Sequence, residues 1–187
     1  MTKTRRLCEC AIMLALSVAL SFVKIYNMPM GGSVTLVSML PVLLIGLRHG
    51  AKWGFATSGL FAAVQLVQAL VEGNVFPYCY TAAAVIICIL FDYVVPFGII
   101  GATGCVSVKT GKVKVLVVIA VLVFIRFVCH FITGIVIWGQ WAPEGMGKFI
   151  YSLVYNGQYM LPELVLTVLA AWALLSSKAV VKQLERE

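Results

Sequence analysis

The chain has 187 residues, of which 62% are hydrophobic and 11% are charged. Soluble domains contain about 45–50% apolar and about 25% charged residues, so a soluble enzyme of this composition would expose too much apolar surface. Six membrane-spanning helices of about 20 residues need about 120 residues, which leaves no room for a separate soluble domain. The composition predicts an integral membrane protein and excludes disordered, collagenous and disulfide-scaffold classes.

Apolar runs separated by polar or glycine-rich stretches predict an all-α fold with six transmembrane helices in a single domain, residues 1–187. In chain order the helices cover residues 7–24, 35–48, 52–71, 79–105, 113–138 and 151–177. The stretch from Met28 to Ser33 is predicted to be a loop, and Pro96 lies inside the fourth helix. The basic start and first apolar run could also belong to a secretory signal peptide, but we interpret them as the first helix.

The first helix carries small residues at every fourth position: Ala11, Ala15 and Ala19. Residues at this spacing share one helix face, and small side chains there let another helix approach closely. Two interpretations stay open on this pattern alone. The stripe packs within the same chain, or it docks against a separate membrane subunit.

Basic residues are distributed unevenly over the predicted loops. Only Lys24 and Lys148 fall in outer segments, and Arg126 lies within the membrane. The other eleven fall on the opposite side: Lys3, Arg5, Arg6, Arg48, Lys52, Lys109, Lys112, Lys114, Lys178, Lys182 and Arg186. Cytoplasmic loops of membrane proteins are enriched in Lys and Arg, so both termini are predicted to be cytoplasmic. The net charge of +7 therefore needs no nucleic-acid partner.

The cysteines and the absent motifs narrow the function further. Cys8 and Cys10 have no neighbouring ligands at a zinc-site spacing, so no metal site is predicted. Gly111-Lys112 is followed by Val113 rather than by the Ser or Thr of a phosphate-binding loop. An intramembrane enzyme using His130 and Asp92 would lack a serine in a nucleophile-like context. A channel is disfavoured because the inner halves of the helices are almost wholly apolar.

Four titratable residues lie at membrane depth in the last three predicted helices: Asp92, Arg126, His130 and Glu163. Charged groups there cost free energy and usually mark a functional site. Because three neighbouring helices supply them at a similar depth, the pattern indicates a cavity. The simpler interpretation is that Arg126 pairs with Asp92 or Glu163 to hold the helices together, and that His130 is a satisfied core histidine.

The fifth helix carries Arg126, His130, Gly134 and Trp138 on one stripe of spacing four. Gly134 would leave a flat slot between the imidazole and the indole. Together with the Asp92 carboxylate, such a slot suits a cationic heteroaromatic molecule. The alternative for Trp138 is a place in the aromatic belt at the membrane interface.

Two segments carry a family resemblance. His130–Met146 (HFITGIVIWGQWAPEGM) and Tyr151–Gly157 (YSLVYNG), with a weaker match at Phe91-Asp92-Tyr93, resemble the thiamine-specific S components (ThiT type) of energy-coupling factor (ECF) vitamin importers. The resemblance covers essentially the whole chain. It implies the six-helix S-component fold in a prokaryotic plasma membrane, and a binding subunit rather than an enzyme.

The resemblance also implies a site and partners. It implies that thiamine binds from outside as the transported ligand, with no resident cofactor, at Asp92, Tyr93, His130, Trp138, Tyr151 and Asn156. The acid would recognise the aminopyrimidine or the positive charge, and Trp138 and His130 would flank the rings. The partners would be a transmembrane coupling (T) subunit and two ATPase subunits, with Ala11, Ala15 and Ala19 docking on the former.

The sequence departs from the family pattern at two places. Some members carry a Trp near the position of Gly31-Gly32, and the acid at Asp92 can be Glu. We expect Arg126 to pair with Glu163, which would leave Asp92 free for the ligand. The rival hypotheses are an S component for another vitamin or precursor, such as hydroxymethylpyrimidine, and a small intramembrane enzyme.

Overall fold

The computed structural model describes residues 2–185, which are mostly helical; Arg186, one of the residues in the charge count, lies outside them. We number the α-helices in chain order. They are α1 (Lys3–Phe22), α2 (Leu40–His49), α3 (Ala51–Glu72), α4 (Ala82–Cys88), α5 (Val95–Gly98), α6 (Lys112–Val136), α7 (Lys148–Ser176) and α8 (Lys178–Leu184).

Five of the six predicted helices are present: the first, second, third, fifth and sixth correspond to α1, α2, α3, α6 and α7. Local signals set some of their ends. The Thr2 side chain accepts a hydrogen bond from the backbone N–H of Arg5 and caps α1. Gly73, at a left-handed φ of 64°, ends α3. The short α8 is not among the predicted helices; it follows a break at Ser177 and buries Leu184.

The predicted loop from Met28 to Ser33 contains the turn of an antiparallel hairpin, whose two strands the sequence does not predict. Strand β1 (Lys24–Asn27) pairs with strand β2 (Ser33–Thr35), and Tyr26 lies opposite Val34. Gly31 and Gly32, at φ values of 81° and 79°, supply the left-handed backbone that the connecting turn requires. The following helix therefore begins at Leu40 rather than near residue 35.

The fourth predicted helix is not one continuous α-helix. It passes from α4 through a π-helical turn (Ile89–Val94) and α5 into a 3₁₀ segment (Ile99–Cys105). Pro96 cannot donate a backbone hydrogen bond, which disrupts the α-helical ladder, and π-helical turns are frequent at functional sites. The π-helical turn contains Asp92, whose side chain is buried.

The centre of the molecule is α2, in which every residue from Leu40 to Leu47 is buried. It packs against α1, α3, the 3₁₀ segment and α8. The 3₁₀ segment lies so close that a Cβ added at Gly104 would overlap the backbone of Ala51. Close packing of this kind stabilises the fold through van der Waals contacts between the helices.

Four helical segments of residues 2–185 are long and apolar enough to cross a membrane: 51–72, 82–105, 112–136 and 148–176. Helix α1 buries Cys10, Ser17 and Ser21 against the rest of the chain. Its opposite face exposes Ala11, Ala15 and Ala19. In the described part of the protein, this stripe therefore does not pack within the same chain.

Candidate functional site

A pocket of about 950 Å³, counting its open mouth, lies at the end of the molecule away from the basic termini. The end of α1, the hairpin, α3, the π-helical turn, α6 and α7 all contribute to it. The structure brings together in this pocket all six residues that the family resemblance implies: Asp92, Tyr93, His130, Trp138, Tyr151 and Asn156.

The Asp92 carboxylate is the centre of a hydrogen-bond network at the floor of the pocket. Its Oδ1 accepts from Thr133 Oγ1 and lies 2.9 Å from His130 Nδ1. Its Oδ2 accepts from Trp138 Nε1 at 3.3 Å. A buried carboxylate requires such donors. Asp92 therefore has protein partners of its own, and Oδ2 retains acceptor capacity.

Arg126 extends this network by one step. Its Nε donates to His130 Nε2 at 3.3 Å, and its guanidinium lies 4.3 Å above the centre of the Phe97 ring, a cation–π contact. Because His130 Nε2 accepts from Arg126, the imidazole is neutral and Nδ1 carries the proton that it donates to Asp92. The floor thus contains a cation, a neutral imidazole and an anion in series.

The predicted direct ion pair between Arg126 and Glu163 is not formed among the described residues. Glu163 Oε2 accepts from the backbone N–H of Thr35 at 2.7 Å, and Oε1 accepts from Thr35 Oγ1 at 2.8 Å. Both carboxylate oxygens therefore serve the end of the hairpin. Glu163 is only 1% exposed and does not line the pocket.

The predicted slot at Gly134 is also absent from the described structure, because α7 fills that space. A Cβ at Gly134 would overlap the Ser152 hydroxyl and approach Asn156 Nδ2 to 2.7 Å. Asn156 Nδ2 donates to the carbonyl of His130 at 3.1 Å, and its Oδ1 accepts from Tyr159 Oη at 2.7 Å. Gly134 therefore brings α6 and α7 together, and Asn156 holds the backbone that carries His130.

Two tyrosines of α7 hold the hairpin over the pocket. Tyr155 Oη donates to the carbonyl of Gly31 at 2.9 Å and accepts from the N–H of Met30 at 3.2 Å. A Cβ at Gly32 would lie 2.8 Å from Tyr159 Cε1. The glycine pair therefore lets the turn descend onto the tyrosine rings, which line the part of the pocket beneath it.

Aromatic rings form another wall of the pocket. Tyr93 stacks between Phe76 and Phe97, with ring centroids 6.0 and 6.5 Å away. Offset stacking at these separations is favourable. Trp138 lies beyond the end of α6, in a short 3₁₀ turn (Trp138–Trp141), and its bond to Asp92 fixes its ring at the pocket.

A polar cluster that the sequence pattern does not predict lies at the rim of the pocket. Glu72, the last residue of α3, forms an ion pair with Lys24. It also accepts from Gln68 Nε2 at 3.0 Å and from Asn74 Nδ2 at 3.2 Å. The available signal was an acid at the C-terminal end of an apolar helix, where the helix dipole disfavours negative charge.

Residues 2–185 contain no cluster of three or more His, Cys, Asp or Glu residues that could hold a metal ion.

A sequence model of the thiamine transporter protein family (Thia_YuaJ) matches residues 7–183. The chain belongs to this family. It is a transport family rather than an enzyme family, so the intramembrane-enzyme hypothesis is set aside.

Individual relatives agree with this assignment. The chain is 39% identical over 174 residues to "Thiamine transporter ThiT" of Bacillus subtilis (strain 168), covering 86% of this chain and 85% of the relative. It is 24% identical over 182 residues to the protein of that name from Lacticaseibacillus paracasei, covering 90% and 85%. A solved structure of ThiT from Listeria monocytogenes has the same fold, with a TM-score of 0.70 at 19% identity and 99% coverage of both chains.

Proposed function

We propose that this chain is the thiamine-binding S subunit of an ECF-type importer. The observation that carries the proposal is the gathering of Asp92, Tyr93, His130, Trp138, Tyr151 and Asn156 around one pocket that the hairpin covers. Membership of the thiamine transporter family supports thiamine as the ligand. The same pocket could also suit a related vitamin or a precursor such as hydroxymethylpyrimidine, which the binding experiment below separates from thiamine.

In this proposal Asp92 recognises the aminopyrimidine ring. Its Oδ2 has a single protein partner, Trp138, so it can accept an N–H from an exocyclic amine. Trp138 and Tyr93 offer aromatic faces for ring stacking, and a cationic ring gains cation–π attraction there. Tyr151 donates or accepts a hydrogen bond at the mouth of the pocket. Asn156 acts by fixing the backbone of His130.

The proposed topology has six membrane segments with both termini in the cytoplasm of a prokaryotic cell, in one domain over residues 1–187. The segments are α1, α2, α3, the region from α4 through the 3₁₀ segment, α6 and α7. The distribution of basic residues supports this orientation. The pocket then opens to the outside, where the importer captures its ligand.

The proposed partners are a transmembrane T subunit and two ATPase subunits. The sequence of residues 1–187 contains no phosphate-binding loop, and in this proposal the ATPase subunits supply the energy for transport. The exposed stripe of Ala11, Ala15 and Ala19 is the proposed surface for the T subunit, because small residues allow close helix packing in membranes. Thiamine is the transported ligand and no resident cofactor takes part.

The test is to measure thiamine binding to the full chain, purified in detergent, through its tryptophan fluorescence. We expect thiamine to quench the emission strongly in the parent protein and weakly in Trp138→Phe. Trp172→Phe is the matched control, because Trp172 is an exposed residue of α7 that does not line the pocket. Quenching by the bare pyrimidine but not by thiamine would assign the pocket to a precursor.

A further inference from the structure

Four charged side chains line the pocket in the described chain, and they form two groups at different places. Asp92 and Arg126 belong to the floor, with His130 between them, and Lys24 and Glu72 belong to the rim. The formal charges sum to zero in each group. A cationic ligand can therefore pair with a carboxylate of the pocket only where the basic side chain that already neutralises this carboxylate can move away.

The cation at the floor cannot leave. Arg126 is 8% exposed, lies on the Phe97 ring and donates to His130. Moving its guanidinium away would leave a buried charge without partners, which is strongly unfavourable. The floor therefore suits hydrogen-bond recognition of a neutral ring rather than exchange of charge.

The cation at the rim can leave. The side chains of Lys24 and Glu72 are 20% and 29% exposed, and a lysine ammonium on its flexible stem is readily rehydrated. Exposed ion pairs contribute little net stability. Glu72 would still keep its bonds from Gln68 and Asn74, so its carboxylate would stay in place after Lys24 withdraws.

The position of Glu72 makes the rim attractive for a cation. Glu72 is the last residue of α3, where the unpaired carbonyl groups of the helix end carry partial negative charge. The carboxylate and the helix end therefore act in the same direction. Lys24 neutralises this potential in the structure described, and a ligand cation would do the same.

We propose that Glu72 is a second ligand-binding carboxylate, masked by Lys24, and that the positively charged part of the ligand displaces the Lys24 ammonium from it. This inference rests on the proposed function, since it takes thiamine as the cationic ligand. It divides recognition into two parts. Asp92 at the floor recognises the aminopyrimidine ring. Glu72 at the rim distinguishes a cationic ligand from a neutral one.

The test compares thiamine with neutral 4-amino-5-hydroxymethyl-2-methylpyrimidine by measuring both dissociation constants on the full chain in detergent. Lys24→Met should tighten thiamine binding roughly threefold to tenfold, because it removes a competing cation at low ionic strength. Glu72→Gln should weaken thiamine binding about tenfold. Neither variant should change the dissociation constant of the neutral pyrimidine by more than about twofold.

The double variant and matched controls complete the design. In the Glu72→Gln background, Lys24→Met should give no tightening, since the two residues act through one another. Lys148→Met and Glu144→Gln remove the same charges from exposed positions outside the pocket and should leave both ligands unaffected. Added salt should reduce the gain in Lys24→Met.

The outcomes separate this inference from the function itself. If the parent protein fails to bind thiamine, the proposed function fails. If the parent binds but Lys24→Met shows no gain, or if both variants shift both ligands equally, Glu72 only supports the hairpin and this inference is wrong. A gain in affinity cannot arise from poor folding, so Lys24→Met decides the question even if Glu72→Gln is unstable.

Discussion

Asp92 and Glu163 are two buried acids, 8% and 1% exposed, that the structure uses in opposite ways. Asp92 accepts from side chains at the floor of the pocket and keeps acceptor capacity on Oδ2. Glu163 gives both oxygens to Thr35 at the end of the hairpin. The first faces the pocket, and the second anchors the hairpin beside it.

Burial of a charge therefore does not by itself identify a binding residue. Both acids are costly to bury and both are compensated. What separates them is the unused lone pair and its access to the pocket. The floor and the roof of the pocket should therefore respond differently to removal of their respective carboxylates.

The largest expected effect is at the floor. Asp92→Asn places an amide N–H opposite one of the donors that Asp92 now accepts from, so the network loses partners as well as charge. We expect thiamine affinity to fall about a hundredfold, about 3 kcal/mol, as measured by titration calorimetry. Normal thiamine binding in a folded Asp92→Asn protein would show that the floor does not recognise the ligand.

A smaller effect is expected at the roof. Glu163→Gln turns one carboxylate oxygen into a donor facing Thr35, so the hairpin should loosen. We expect the thermal midpoint to fall by about 2–8 °C and thiamine affinity to fall about tenfold, with faster association and dissociation. Glu144→Gln, an exposed acid, is the control. Abolished binding with an unchanged midpoint would contradict the anchoring role.

The smallest effect is expected from Tyr155→Phe, which removes the two hydrogen bonds to Met30 and Gly31 but keeps the ring. We expect about a fivefold faster dissociation of thiamine, about 1 kcal/mol, in stopped-flow fluorescence. Tyr80→Phe is the matched control, because Tyr80 is exposed and packs on Trp141. Equal effects of the two variants would mean that the hairpin contact does not retain the ligand.

Regular periodicity explains what the sequence could predict. Residues four apart lie on the same face of a helix, so the sequence predicts that Arg126 and His130 lie together, and they form a hydrogen bond. The predicted helix also includes Trp138, but α6 ends at Val136. The indole reaches the pocket from a 3₁₀ turn, a geometry that spacing alone does not reveal.

Tertiary contacts explain what the sequence could not predict. The hairpin strands have four and three residues, too few for a clear alternation of polar and apolar positions. The choice of Thr35 rather than Arg126 as partner of Glu163 depends on where the hairpin lies. Glu72 was overlooked because its role depends on Lys24, 48 positions away in the chain.

The burial of α2 bears on how the protein is made. A helix of 10 residues spans about 15 Å, half of the roughly 30 Å hydrocarbon layer, so lipid alone cannot hold it across the bilayer. Its covering surfaces include the segment from residue 99 to 105 and α8 near the end of the chain. In the proposed membrane topology, α2 therefore gains all of its covering surfaces only after these later segments have been synthesised.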